Sequence, residues 1–258
     1  MKLDSGQQGN FLYLNSLPLS ERQPIQAQLR KGDIYVVRLT TRDEKGRLIR
    51  APGGWLHHWL AAMFVPGATL RQAVAVGQEF DQYASFYQPE IVRSRVLEHN
   101  DNSFKVYVRL QKKTPWVTIT LDTYNDVHYV FLNPQALYSV SRSYRVQQVD
   151  NAGRPDERIE PPGRGEGFLW ATDIFWRYEA VRGGIMVESE TIALTRKVPF
   201  GLGWIIKPFV ERAAVATDKQ MMIRTRQIIR QEARKENAHK GGGDPLLFCC
   251  RDIVGLSD

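Results

Sequence analysis

Glu188 and Glu190 stand two residues apart in VESETIALTR, and Asp173 lies in the largely apolar run FLWATDIFWRYEAV. A carboxyl group beside an apolar space can act as a general acid or base if it reaches the reacting atoms. Strand alternation decides which side such groups face. It sets Glu188 and Glu190 against Ser189, Thr191 and Ala193, and it sets Asp173, Arg177 and Glu179 against Trp170, Thr172, Ile174, Trp176 and Tyr178. The carboxylates then face outward, solvated or paired across strands with arginines such as Arg177. The opposite face is aromatic, hydroxyl-bearing and small. It is either the wall of a small-molecule pocket or plain core.

The same surface extends to neighbouring segments. Val106 and Val108 face one way in FKVYVRLQ, and Leu121 does so in WVTITLD. Met221, Met222, Thr225, Ile228 and Ile229 form the apolar face of a C-terminal helix, where methionine can repack around varied shapes. The candidate ligand-binding set is therefore Trp170, Thr172, Ile174, Trp176, Tyr178, Ser189, Thr191, Val106, Val108, Leu121, Met222, Thr225 and Ile229. Arg142 shares a strand face with Tyr138, Val140 and Tyr144 and is read as outward; inward, it would anchor a carboxylate or phosphate.

Other chemistries find little support. His57 and His58 point to opposite faces of one strand and cannot ligate one ion, so no metal is expected. There is no G-x-S-x-G elbow, and GLGW lacks the remainder of a dinucleotide loop, so no cofactor is expected. Cys249 and Cys250 are adjacent and cannot cross-link distant parts of a fold.

The elements that must position the apolar face follow from the pattern. SERQPIQAQLR reads as a helix ended by Gly32, followed by the strand-like DIYVVRLTTR; residues 1–52 form an N-terminal helix–strand appendage. HHWLAAMFVPG is a strand, and Thr69 caps a helical stretch that ends at Pro89. Alternating strands follow, with turns at residues 100–103 and at Arg182-Gly183-Gly184 and a bulge expected near Tyr124–Asp126. The Pro- and Gly-rich loop 151–167 is long enough to have a role, and gating a cavity is the one expected. The apolar collar Trp204, Ile205, Ile206, Phe209 and Val210 makes a short helix closing one end. Thr217 and Gln220, at capping-box spacing, start a fresh helix that runs to Asn237. Strands that are half polar bury one face, and the final helix is the long amphipathic element available to cover it.

The chain has 258 residues, 43% apolar and 24% charged, which excludes disorder as the default. No apolar run is long enough to span a bilayer. MKLDSGQQGNFLYLN lacks the apolar core of a signal peptide, so a cytoplasmic location is the default, with export if a signal was removed. Of the net charge of +7, seven Lys or Arg against two Glu between Lys219 and Lys240 concentrate +5 in the last helix. That stripe reads as a solvated helix face that could touch an anionic membrane surface weakly; no nucleic-acid partner is expected. The glycine-led tail 238–258 reads as flexible.

Over residues 53–237 the chain resembles the START/polyketide-cyclase-like (SRPBCC) superfamily, in an uncharacterised bacterial branch. HHWLAAMFVPGATL and EFDQYASFYQPEIVRSRVL look like its first strand and helical pair. FLW…WRYE, VESETIALTR and GLGWIIKPFVER look like its closing strands and last helix. The resemblance implies an α+β helix-grip fold, a curved antiparallel sheet wrapped around a long C-terminal helix. It also implies a hydrophobic cavity for a lipid, sterol or polyketide-like ligand. No catalytic motif of the cyclase members maps onto positions here, so a binding or transport role is expected. The alternatives are a cyclase/aromatase-type enzyme using Glu190 or Asp173, and a module that binds anionic surfaces.

Overall fold

Long runs of alternating apolar and polar residues, interrupted by tight turns, fold as a meander of antiparallel strands. The computed structural model describes residues 11–113, 118–196 and 203–241, with side chains of the last helix described over 215–236. Two helices lead, α1 (Tyr13–Ser16) and α2 (Leu19–Lys31), then the strands β1 (Tyr35–Arg38) and β2 (Gly54–Pro66). Helices α3 (Leu70–Gln78) and α4 (Tyr83–Phe86) separate these from β3 (Ile91–Asn100), β4 (Ser103–Lys113), β5 (Thr118–Asn133) and β6 (Ala136–Asp150). The short β7 (Arg158–Ile159) precedes the hairpin of β8 (Ala171–Val181) and β9 (Gly184–Arg196), and α5 (Gly203–Gly241) closes the described chain.

The strands form one curved antiparallel sheet in the order β1-β2-β9-β8-β6-β5-β4-β3, with β7 paired to β6 outside this path. β2 therefore leaves the meander to pair with β9, so that the first long strand lies beside the last. Curvature comes from register breaks at Tyr124/Asn125, where the sequence predicts a bulge, and on β3 between Ile91 and Arg93 and between Val96 and Glu98. Thr69 caps α3 through a capping box with Gln72, and Gly32 ends α2 in the left-handed conformation that glycine adopts freely.

α5 is one continuous helix, not a collar helix followed by a fresh start at Thr217. No glycine or proline lies between Val210 and Lys240 to break it. The Thr217 hydroxyl instead accepts from Lys112 Nζ at 2.9 Å. The inward face of α5, including Met222, Thr225, Ile229 and Ala233, is buried against the concave side of the sheet. Polar contacts help fix its C-terminal half: Arg224 with Glu90 at 3.2 Å, Arg226 Nη1 with the Gly32 carbonyl at 2.7 Å, and both Arg71 and Gln72 with Glu236. The basic stripe is thus partly spent inside the fold, and Arg230, Arg234 and Lys235 remain exposed.

The expectation that the sheet buries one face only fails at β2 and β9. The N-terminal segment packs on the convex face there. Leu12, Leu14 and Leu29 are fully buried with Leu60, Ala62, Phe64 and Met186 in a second core behind the sheet. This explains why β2 reads as a nearly unbroken apolar run: both of its faces are covered. It also changes the environment of the two glutamates. Glu188 is fully buried and accepts the backbone N–H groups of Tyr13 at 2.7 Å and Leu14 at 3.0 Å. Glu190 accepts from His58 Nε2 at 2.8 Å and Arg177 Nη2 at 2.5 Å. The expected partnership with Arg177 is present, but in a dry interior and not in solvent.

Burial raises the Glu188 carboxyl to about 7, against the lowering effect of the Leu14 and Tyr13 N–H groups and of Arg177; Glu190 adds to the rise. The folded state then holds a proton that the unfolded chain releases near 4.5. Stability from this group is present below that value and lost as pH rises through about 7. Urea titrations across this window should show the wild type losing roughly 3 kcal/mol more than Glu188→Gln. Parallel pH profiles for the two proteins would contradict this assignment.

Candidate functional site

Between the concave face and α5 lies a cavity of about 390 Å³. Each wall follows from a simple periodicity. On β8, Thr172, Ile174, Trp176 and Tyr178 line it at spacing two, and on β9 so do Ser189, Thr191 and Ala193. β4 contributes Val106, Val108 and Leu110, and β5 contributes Thr123, Asn125, Val127 and Tyr129. α5 closes the space with Asp218, Met221, Met222 and Thr225, spaced as one face of a helix. The rings of Trp176 and Tyr178 stack with centroids 6.2 Å apart, giving the β8 wall a broad aromatic surface.

Ten of the thirteen residues predicted as a ligand-binding set border this cavity: Thr172, Ile174, Trp176, Tyr178, Ser189, Thr191, Val106, Val108, Met222 and Thr225. Three lie elsewhere. Trp170 precedes the first residue of β8 and, with Leu121, borders a separate cavity of about 170 Å³. Leu121 has the correct inward phase but lies beyond the main chamber, beneath the 163–170 segment. Ile229 is fully buried in the main core cluster, further along α5 than the chamber reaches.

The outward assignments hold for Arg142 and Asp173, which pair with each other at 3.7 Å on the exposed face. The loop 151–167 does not border the main chamber among the described residues. Its first part lies on the convex face, where buried Arg109 clasps Asp122 through Nε at 2.7 Å and Nη2 at 2.9 Å and holds Glu157 at 2.8 Å; its last residues, Gly163 to Gly167, pack beside Leu121, Val146 and Gln148 at the smaller cavity. Leu169, just beyond the loop, does reach the chamber. The side chains of the collar Trp204, Ile205, Ile206, Phe209 and Val210 lie outside the described residues, as does the 242–258 part of the tail.

Much of the chamber's polarity is already spent. Tyr83 and Tyr129 both donate to the Gly77 carbonyl at 2.7 Å. A β-carbon at Gly77 would sit 3.1 Å from the Tyr129 hydroxyl, so the bare backbone there lets the tyrosines approach. Tyr87 shares a hydrogen bond with Thr225 at 3.0 Å, and Asn125 Nδ2 donates to Thr123 at 3.1 Å. Burial pushes Tyr83, Tyr129 and Tyr178 above the ordinary tyrosine value, so all three remain neutral donors.

Asp218 is the charged lining residue that the sequence reading missed. Burial pushes its carboxyl up to about 6. The signal was available: Met221, Met222 and Thr225, already assigned to the inward face, lie three, four and seven residues further along the helix. Among the described residues no group of three or more His, Cys, Asp or Glu side chains could hold a metal ion.

This arrangement, a curved antiparallel sheet closed by one long C-terminal helix with a helical pair before the meander, is a helix-grip fold. No family model and no curated protein matches the chain. Among solved structures it is similar to human STARD10, at 10% identity and a TM-score of 0.47, covering 92% of this chain and 88% of that one. It is also similar to a STAR-related lipid transfer protein from Xanthomonas axonopodis, at 14% identity and a TM-score of 0.41, covering 77% and 97%. A third is the di-domain aromatase/cyclase StfQ of the steffimycin biosynthetic pathway, at 14% identity and a TM-score of 0.43; the match covers 71% of this chain and 52% of StfQ's length.

Proposed function

We propose that the protein binds or carries a small hydrophobic molecule, lipid, sterol or polyketide-like, in the chamber between the sheet and α5. The observation that supports this reading is the chamber itself. A well-packed interior leaves few voids larger than a water molecule. Here about 390 Å³ stands open beneath α5, walled largely by apolar and aromatic side chains. Space of that size with a few placed polar groups suits a ligand. Native mass spectrometry of freshly purified protein should show a co-purified apolar molecule, or uptake of an added sterol or long-chain alcohol. A ligand-free spectrum with no uptake would overturn the reading.

The enzyme alternative draws on one observation, the carboxyl of Asp218 at the chamber wall. Glu190 and Asp173 do not border the chamber. No lysine, arginine or histidine stands beside Asp218 among the described lining residues, so a second acid–base partner is not supplied there. That composition favours recognition over turnover. A weak contact of the basic helix with an anionic membrane surface is an accessory reading, supported by the exposure of Arg230, Arg234 and Lys235. Sedimentation with anionic vesicles that falls steeply with salt would support it, and salt-independent binding would remove it. Among the described residues no helix is long and apolar enough to cross a membrane.

A further inference from the structure

We propose that the chamber's ligand is an amphipathic amine, an apolar body carrying a protonated nitrogen that Asp218 holds. The inference rests on the binding role proposed above and names the chemistry of the guest.

Three observations carry it. Asp218 borders the chamber, yet it makes no hydrogen bond or ion pair with any described residue. It is the only acidic residue in the described lining, which contains no lysine, arginine or histidine, so the fixed charge of the described wall is negative and uncompensated. Its neighbours one helical turn away in each direction are Ala214 and Val215, then Met221 and Met222, none of which can satisfy a carboxylate.

The remaining polar side-chain groups of the described wall are neutral hydroxyls, an amide and the Trp176 indole N–H, and several are already bonded to one another or to the Gly77 carbonyl. The raised carboxyl value agrees with this geometry. Burial is its cause, with no described cation lowering it, and at pH 7.5 the group is ionised. An ionised carboxylate against apolar walls is costly unless it is paired. A ligand ammonium would form a charge-assisted hydrogen bond there, while a ligand carboxylate would meet like charge with no cation among the described lining residues to receive it. Fatty acids are thereby disfavoured, and a neutral lipid can offer Asp218 a hydroxyl donor but no charge to pair with it.

A matched series separates this inference from the reading beneath it. Nile red, a neutral apolar dye, is bound to the full chain at pH 7.5 and displaced by decylamine, decanol or decanoate. Decylamine is expected to bind about tenfold to a hundredfold tighter than decanol, and decanoate more weakly than either. Asp218→Asn, nearly isosteric, should remove the amine's advantage and leave decanol within about threefold of wild type, roughly 0.6 kcal/mol. Circular dichroism of the variant confirms the fold. If the three compounds bind alike, or Asp218→Asn weakens decanol as much as decylamine, the amine inference is overturned while the binding chamber stands. If neither Nile red nor any of the three binds, the proposed function fails and this inference fails with it.

Discussion

Glu190→Ala is expected to lower the unfolding free energy by about 3–5 kcal/mol. Glu190 is 6% exposed and Arg177 also 6%, so the pair is effectively removed from water. Burial alone would raise the Glu190 carboxyl, but His58 and Arg177 hold it below the ordinary glutamate value. Removing the carboxylate leaves a buried guanidinium whose Nη1 already has no hydrogen-bond partner. Breaking one side of such a pair costs more than the pair itself contributes, because the surviving charge is stranded. The double variant Glu190→Leu/Arg177→Met should therefore recover most of the loss. Urea denaturation measures both. A loss below about 1 kcal/mol for the single variant would mean that water reaches Arg177 and that the N-terminal segment does not seal this face.

The second large effect concerns ligand binding. Ser189 lies midway along β9 with its side chain toward the chamber, facing Ala61 and Trp176 across the two neighbouring strands. Ser189→Phe places a phenyl ring in open space, so it should reduce affinity for a neutral apolar dye by at least about tenfold, roughly 1.4 kcal/mol. The fold should survive, since overpacking costs typically about 1–3 kcal/mol only where the space is already full. Ala193→Phe, nearer the end of the same strand, serves as an independent check. Undiminished binding in both variants would place the ligand outside the chamber.

The parts of the site legible in the sequence are those where one physical rule acts alone. On β8 the spacing of Thr172, Ile174, Trp176 and Tyr178 is a property of the extended backbone, and no neighbour can alter it. The inward phase of Met222 and Thr225 follows as directly from helical geometry. What the local pattern does not contain is where a surface stops. Leu121 and Ile229 have the correct phase but lie outside the chamber's limits, which depend on how the 163–170 segment and the end of α5 close over the sheet. Trp170 was misassigned because β8 begins one residue after it.

The convex face shows the same limit at longer range. Alternation correctly sets Glu188 and Glu190 opposite Ser189 and Thr191, but exposure depends on whether another segment covers that side. FLYLNSL at 11–17, with leucines at every second or third position, held the signal that the N-terminal stretch has an apolar face to bury. Its partner surface, Leu60, Ala62 and Phe64, is distant in sequence, and only the assembled sheet brings the two together.

The central claim is that the space beneath α5 receives an apolar guest, and photolabelling with an alkyl diazirine tests it most directly. After irradiation and proteolysis, mass spectrometry should find adducts on Trp176, Tyr178 and Met222, and excess decanol or decylamine should suppress them. Adducts confined to outer residues such as Phe131 and Leu132 at the exposed β5–β6 hairpin, with the chamber side chains unmodified, would contradict it.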